Sequence, residues 1–329
     1  MSKTTKLVLI VAAIMVVCII GAAVTFGVMY NGSGPLNWKG VLGSVTIDLD
    51  ESADFDLDGV NRLNIENVSG RIYVKTGEPR ATLTGHIRTN TDQEEFLKVE
   101  NEGGMLTVKS DIDSVYPHYI NGDMILTVYL PEDMGLDTAV SGASASAEIG
   151  GIEFGSLTVN SASGSVDITD CAGSMLNVNV VSGGVQAGSL EFDTVKVNTT
   201  SGSVTVDGVS GSVKAGSVSG AVRVSNAAGS VEINNTSGSA SVTQPQAGIQ
   251  PIRIRNISGS INVTLSPDAA FDLDANTTSG GFTSQFDITV SGKLSKNIVG
   301  EDITGKVNGG GPIVELSTVS GGISLNTRN

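Results

Sequence analysis

From Val45 onward the chain alternates apolar and polar residues in short runs: VTIDL, RLNIENVSGRIYV, ATLTGHI, LKVENEGGMLTVKS and MILTVYLP. A period of two places every second side chain on the same face, which predicts β-strands with one buried face. Past the first strands only DQEEFLKV departs from this pattern, and there a single helical turn before a strand is expected. No other stretch beyond residue 44 carries a 3.6-residue period, so the expected class is all-β.

Past Asp137 the strands become a repeat. Ser-Gly pairs begin at Ser141, Ser163, Ser182, Ser201, Ser210, Ser219, Ser237, Ser258, Ser279 and Ser320. The full period is about 18 to 22 residues, in halves of roughly nine, and periods of that size signal stacked coils. Alternation turns Val204, Val206, Val213, Ala215, Val222, Val224, Val231 and Ile233 inward, and Thr205, Lys214, Arg223 and Glu232 outward. One coil cannot bury such an apolar row alone, whereas coils stacked about 4.8 Å apart can. The expectation is a parallel, β-helix-like solenoid. Asn160, Asn179, Asn198, Asn234 and Asn276 each stand three residues before the Ser of a Ser-Gly pair. An amide both donates and accepts, so these five are expected to form a structural ladder at one corner.

The first 44 residues follow a different rule. Leu7 to Met29 is uncharged, long enough for a membrane-spanning helix of about 20 residues. Lys3 and Lys6 precede it and no basic residue follows before Lys39, which places the N-terminus in the cytoplasm and the rest outside. Gly21-Ala22-Ala23 offers a small-residue cleavage site, but the apolar run continues past it, which favours an uncleaved anchor. The expected organisation is a cytoplasmic tail 1–6, an anchor 7–29 in the lipid bilayer, a linker 30–44, an irregular β-rich portion 45–138 and the regular repeat 139–329.

Composition narrows the function. With 19 Lys and Arg against 34 Asp and Glu, the net charge is −15, which disfavours nucleic acid as a partner. Of the two cysteines, Cys18 falls within the anchor and Cys171 beyond it, so the exported part has no intrachain disulfide. His86 and His118 are the only histidines and lie in no zinc-binding array. Asp54, Asp56 and Asp58 match the first half of a calcium loop, but the twelfth position, where a bidentate Glu belongs, is Ile65, so they are a weak metal candidate beside the reading of a charged strand face. No cofactor is expected. Residues 139–329 contain no Tyr or Trp. Tyr116, His118 and Tyr119, in DIDSVYPHYINGD, form a candidate interaction loop or, alternatively, a cover for the end of the solenoid.

The anchor, MILTVYLPEDMGLDTAVSGASASAEIGG, the SG-S-V-x-V units and the ending KVNGGGPIVELSTVSGGISLNT together resemble the bacterial and archaeal putative-adhesin family. That is a domain-of-unknown-function group of membrane-anchored β-strand-repeat proteins. The resemblance covers most of residues 45–329 and implies a solenoid displayed outside the membrane, with roles in adhesion or envelope-stress signalling; it brings no catalytic residues. The expected function is a non-enzymatic module contacting envelope polysaccharide or a membrane or surface protein. The alternatives are a polysaccharide-acting solenoid enzyme, with Asp207 and Glu232 among its acids, and an accessory sensor in envelope-stress signalling.

Overall fold

The computed structural model describes residues 45–89, 93–112, 121–246, 248–290, 295–297 and 300–328. The expected tail, anchor and linker lie outside the described residues, as does the loop carrying Tyr116, His118 and Tyr119. The described residues divide between Ser182 and Gly183 into two compact units.

The N-terminal unit holds β1 (Val45–Asp54), β2 (Arg62–Thr76), β3 (Arg80–Thr89), β4 (Leu97–Glu102) and β5 (Met105–Ser110). It continues with β6 (Asn121–Leu130), β7 (Asp137–Gly150), β8 (Ser156–Ser163) and β9 (Val166–Ser182). Leu97 opens a strand and Gln93 to Phe96 is not helical. The single turn expected at DQEEFLKV is therefore corrected: the Glu51 carboxylate accepts the Phe96 and Leu97 amides at 3.0 and 2.7 Å and ties that segment to β1.

Each coil contributes to a first sheet and to a second, through two strands or through the two arms of one long strand such as β2, β7 or β9, with apolar side chains of both sheets filling the space between. In the first sheet the neighbours run β4, β5, β2, β7, β8, β9, and in the second β1, β3, β6, β2, β7, β9. The coils formed by β2, β5 with β6, and β7 are out of chain order, because β2 lies between the other two. The pairings of β1 with β3, β3 with β6 and β4 with β5 are antiparallel, and all three lie within the portion expected to be irregular. These added strands cover edges that a stack of parallel coils would leave unpaired.

The C-terminal unit begins with β10 (Val185–Ser201), β11 (Val204–Val209), β12 (Ser212–Ser219), β13 (Val222–Ala227) and β14 (Val231–Ser237). It continues through β15 (Ala240–Gln244), β16 (Ile252–Ser258), β17 (Ile261–Leu265), β18 (Phe271–Ser279) and β19 (Phe282–Ser284). The last strands are β20 (Thr289–Val290), β21 (Ser295–Asn297), β22 (Gly300–Val307), β23 (Ile313–Ser320) and β24 (Ile323–Thr327). The valines and isoleucines assigned inward are buried, while Lys214 and Arg223 are exposed. The first sheet runs β10, β12, β14, β16, β23, β18 in parallel, closed by antiparallel β22. The second runs β10, β11, β13, β15, β17, β24, β19. The final coil, β23 with β24, thus sits between two coils that precede it in the chain.

One corner of every coil in this unit is a Ser-Gly pair. Gly220 N–H donates to Ser237 O at 3.0 Å, and Gly202, Gly238, Gly259 and Gly321 repeat that bond up the corner. Ser210-Gly211 belongs to the opposite corner, between β11 and β12, so the apparent nine-residue repeat merges two different turns.

The third inward position of the first sheet is polar almost throughout: Thr199, Ser217, Asn235, Asn256, Thr318 and Thr277 are buried. Each donates to a corner carbonyl, as Ser217 Oγ does to Gly202 O at 3.1 Å and Asn256 Nδ2 to Gly238 O at 2.8 Å. A buried carbonyl left unpaired is costly, and these side chains satisfy it from inside the core.

Candidate interaction surface

Outward positions on the second sheet of the N-terminal unit bring together residues far apart in sequence. On β2, Arg71, Tyr73 and Lys75 alternate with the buried Ile72 and Val74. On β6, Ile125, Thr127 and Tyr129 alternate with the inward Leu126 and Val128, and of these three Thr127 is itself buried. The parallel register sets Arg71 opposite Ile125, Tyr73 opposite Thr127 and Lys75 opposite Tyr129. From the other side β3 sets Arg80 opposite Tyr129. Tyr129 therefore has a cation on each neighbouring strand. Arg71 Nη1 donates to the Tyr73 hydroxyl at 3.4 Å, and Lys75 Nζ lies 4.4 Å from the centre of the Tyr73 ring, within cation–π range. The Tyr73 hydrogen bond, and behind it the charges of Asp123 and Glu148, raises Arg71 above the ordinary arginine value. Both tyrosines are half-buried, and the three cations are exposed.

The flanks of this strip are acidic. On the β1 side Asp54 opposes Arg80, with Nε to Oδ1 at 3.6 Å, and Asp50 opposes Thr84. On the other side Glu148 opposes Tyr73, and Asp167 opposes Glu148.

A second charged surface lies on the outer side of the first sheet in the C-terminal unit, where register stacks Lys196, Lys214, Glu232, Arg253 and Glu315 in one row. Lys214 pairs with Glu232 at 3.0 Å, and Glu315 holds Arg253 at 2.7 Å and Arg255 at 2.9 Å. Burial pushes Glu315 up, but the hydrogen bonds and charges of Arg253 and Arg255 outweigh it and hold the carboxyl below its ordinary value. Its pKa is therefore lower folded than unfolded, so its contribution is present above pH 4.5 and lost as pH falls below it. Glu315→Gln is expected to cost about 1 kcal/mol at pH 7, with the gap from wild type narrowing below pH 4.5. Thermal midpoints across pH check this; a constant gap would contradict it.

The remaining candidates have structural surroundings. Asp56 accepts the Asp58 amide at 2.9 Å in the turn after β1, Asp54 faces Arg80, and Ile65 is buried on β2. Among the described residues no three His, Cys, Asp or Glu side chains group to hold a metal. Asn179 Nδ2 donates to Asn160 Oδ1 at 3.2 Å. Asn198 and Asn234 are not adjacent, because Gly216 stands between them, and Asn276 opposes Ser317. The row running through the corner instead stands one residue further along, at the buried polar positions beginning with Thr199; the signal for it was a small polar residue two before each Ser. Asp207 accepts Ser225 Oγ at 2.7 Å and Asn226 Nδ2 at 2.6 Å from the next coil. Asn234 Nδ2 donates to Glu232 at 2.9 Å. Cys171 is buried, which raises its thiol pKa.

Compared with known proteins, residues 60–252 match the family model of the Toastrack domain, DUF4097. A solved putative lipid binding protein from Parabacteroides distasonis ATCC 8503 is 16% identical, covers 88% of this chain and 98% of its own, and has a TM-score of 0.37. A putative adhesin from Bacteroides fragilis NCTC 9343 is 14% identical over 88% of this chain and 99% of its own, with a TM-score of 0.28. A putative cell adhesion protein from Clostridium sporogenes ATCC 15579 is 14% identical over 86% of this chain and 100% of its own, at 0.22. Among curated proteins none matches.

Proposed function

The chain belongs to the Toastrack DUF4097 family, and from that premise we propose that it is a membrane-anchored, extracytoplasmic interaction module without enzymatic activity. The observation that carries this reading is the outward strip of Arg71, Tyr73, Lys75, Arg80 and Tyr129. Half-buried aromatic rings beside exposed cations suit a contact surface, because Tyr and Arg supply large contact area together with directed hydrogen bonds. The rigid sheet beneath fixes their spacing. Two acids weighed for polysaccharide chemistry, Asp207 and Glu232, bond neighbouring coils, which supports a structural role for them. The apolar run Leu7 to Met29, with Lys3 and Lys6 ahead of it, supports display from a membrane.

The full-length protein, immobilised, is expected to retain a component of the cell-envelope fraction. Tyr73→Ser with Tyr129→Ser is expected to weaken retention about tenfold or more while leaving the thermal midpoint near that of wild type. Retention unchanged in this variant would move the site elsewhere. Release of reducing or unsaturated sugar ends, abolished by Asp207→Asn or Glu232→Gln, would replace the module with an enzyme.

A further inference from the structure

Resting on that reading, we propose that the Tyr73–Tyr129 strip binds a linear anionic polysaccharide whose sugars carry carboxylates. The placement of charge is the reason. Within a chain of net charge −15, Arg71, Lys75 and Arg80 converge on two aromatic rings in three adjacent strands. Lys75 and Arg80 stand two strand spacings apart, about 10 Å, and Arg71 and Lys75 four residues apart along β2, about 13 Å. Thr82, Thr84 and Ser146, all partly exposed, occupy the register positions between and beside them. Hydroxyls of this kind both donate to and accept from sugar hydroxyls. A guanidinium takes a carboxylate in a two-point contact, and a tyrosine ring offers a flat face to the C–H side of a sugar.

The acidic flanks choose among polyanions. Asp50 and Asp54 on one side and Glu148 and Asp167 on the other would meet a broad anionic surface such as a bilayer and repel it. A narrow polymer lying along the cationic strip meets fewer of them. Three cations are few for a nucleic acid strand, whose every linkage bears a phosphate and whose binding draws on many neutralised charges. One carboxylate per sugar matches them better.

The test uses the full-length chain with four soluble or suspended probes: sodium polygalacturonate, dextran, poly-deoxythymidylate and phosphatidylglycerol vesicles. Polygalacturonate is expected to be retained and dextran not, with added salt weakening retention. Arg71→Gln with Lys75→Gln, and separately Tyr73→Ser with Tyr129→Ser, are each expected to weaken polygalacturonate binding about tenfold. Arg71 and Lys75 are exposed, so melting of that variant should match wild type, and circular dichroism should show both variants folded. Equal retention of dextran would overturn the reading of charge, and tighter tyrosine-dependent binding of poly-deoxythymidylate or vesicles would overturn the choice of polymer. If polygalacturonate is not retained while envelope material still is, through the tyrosines, the anionic glycan is wrong and the interaction module stands. Should neither be retained through the tyrosines, both fall.

Discussion

Gly220→Ala is expected to lower the stability of the C-terminal unit by about 3 to 5 kcal/mol, the sum of overpacking and backbone strain. Gly220 sits at φ +155° directly over Gly202, and a Cβ there would overlap the Gly202 carbonyl oxygen. The clash is with backbone, which cannot rotate away as a side-chain tip would. Moving it also disturbs the Gly220 N–H bond to Ser237 O and the Ser217 and Asn235 bonds to the Gly202 and Gly220 carbonyls. Gly188→Ala is the control. The nearest atom to a Cβ at that position is Asp207 O at 3.7 Å, an ordinary contact, and the expected change is within about 0.5 kcal/mol. Urea denaturation of the two variants measures the difference; equal midpoints would refute the packing of the corner.

Removing residues 313–329 exposes both coils that β23 and β24 separate. The segment buries Val314, Leu316, Ile323 and Leu325, each contributing about 1.5 to 3 kcal/mol. It also supplies ladder partners to β16 and β17 on one side and to β18 and β19 on the other. Amide hydrogen exchange is expected to show protection falling about a thousandfold in both 252–265 and 271–284, a loss of about 4 kcal/mol of local stability. Protection in 204–227, several coils away, should persist, since coils depend chiefly on their neighbours. If 252–265 stayed protected while only 271–284 opened, the coils would be stacked in chain order and the inserted final coil would be wrong.

The face that carries the proposed function was hidden from the sequence for a definite reason. Tyr73 and Tyr129 were visible as aromatics in the first half of the chain, and alternation alone turns each outward. Their neighbourhood depends on β2 pairing with β6 at an offset of 54 residues, Arg71 against Ile125, and no local pattern encodes such an offset. The Asn residues past Asn160 and Asn179, which do pair, show the opposite error. Their regular spacing was legible, but a two-residue period says only which face a side chain takes, whereas adjacency depends on what fills the intervening coil, here Gly216 between Asn198 and Asn234.

Sequence by itself determined the strand class, the inward aliphatic rows and the corner glycines, because each follows from a repeat of two residues or of about 18 to 22. Tertiary structure alone decided the order of the coils. The strands of β16, β18 and β23 read IRIRNIS, FDLDANTTS and IVELSTVS, with the same alternation and a polar inward residue in the same register, Asn256, Thr277 and Thr318. Each therefore presents nearly the same apolar row and backbone ladder to a neighbour, and local pattern cannot rank one stacking order over another. The 41-residue interval between Ser279 and Ser320 announces extra chain there. Antiparallel β22 occupies the outer edge of β18, so the final coil enters the remaining slot, between β16 and β18.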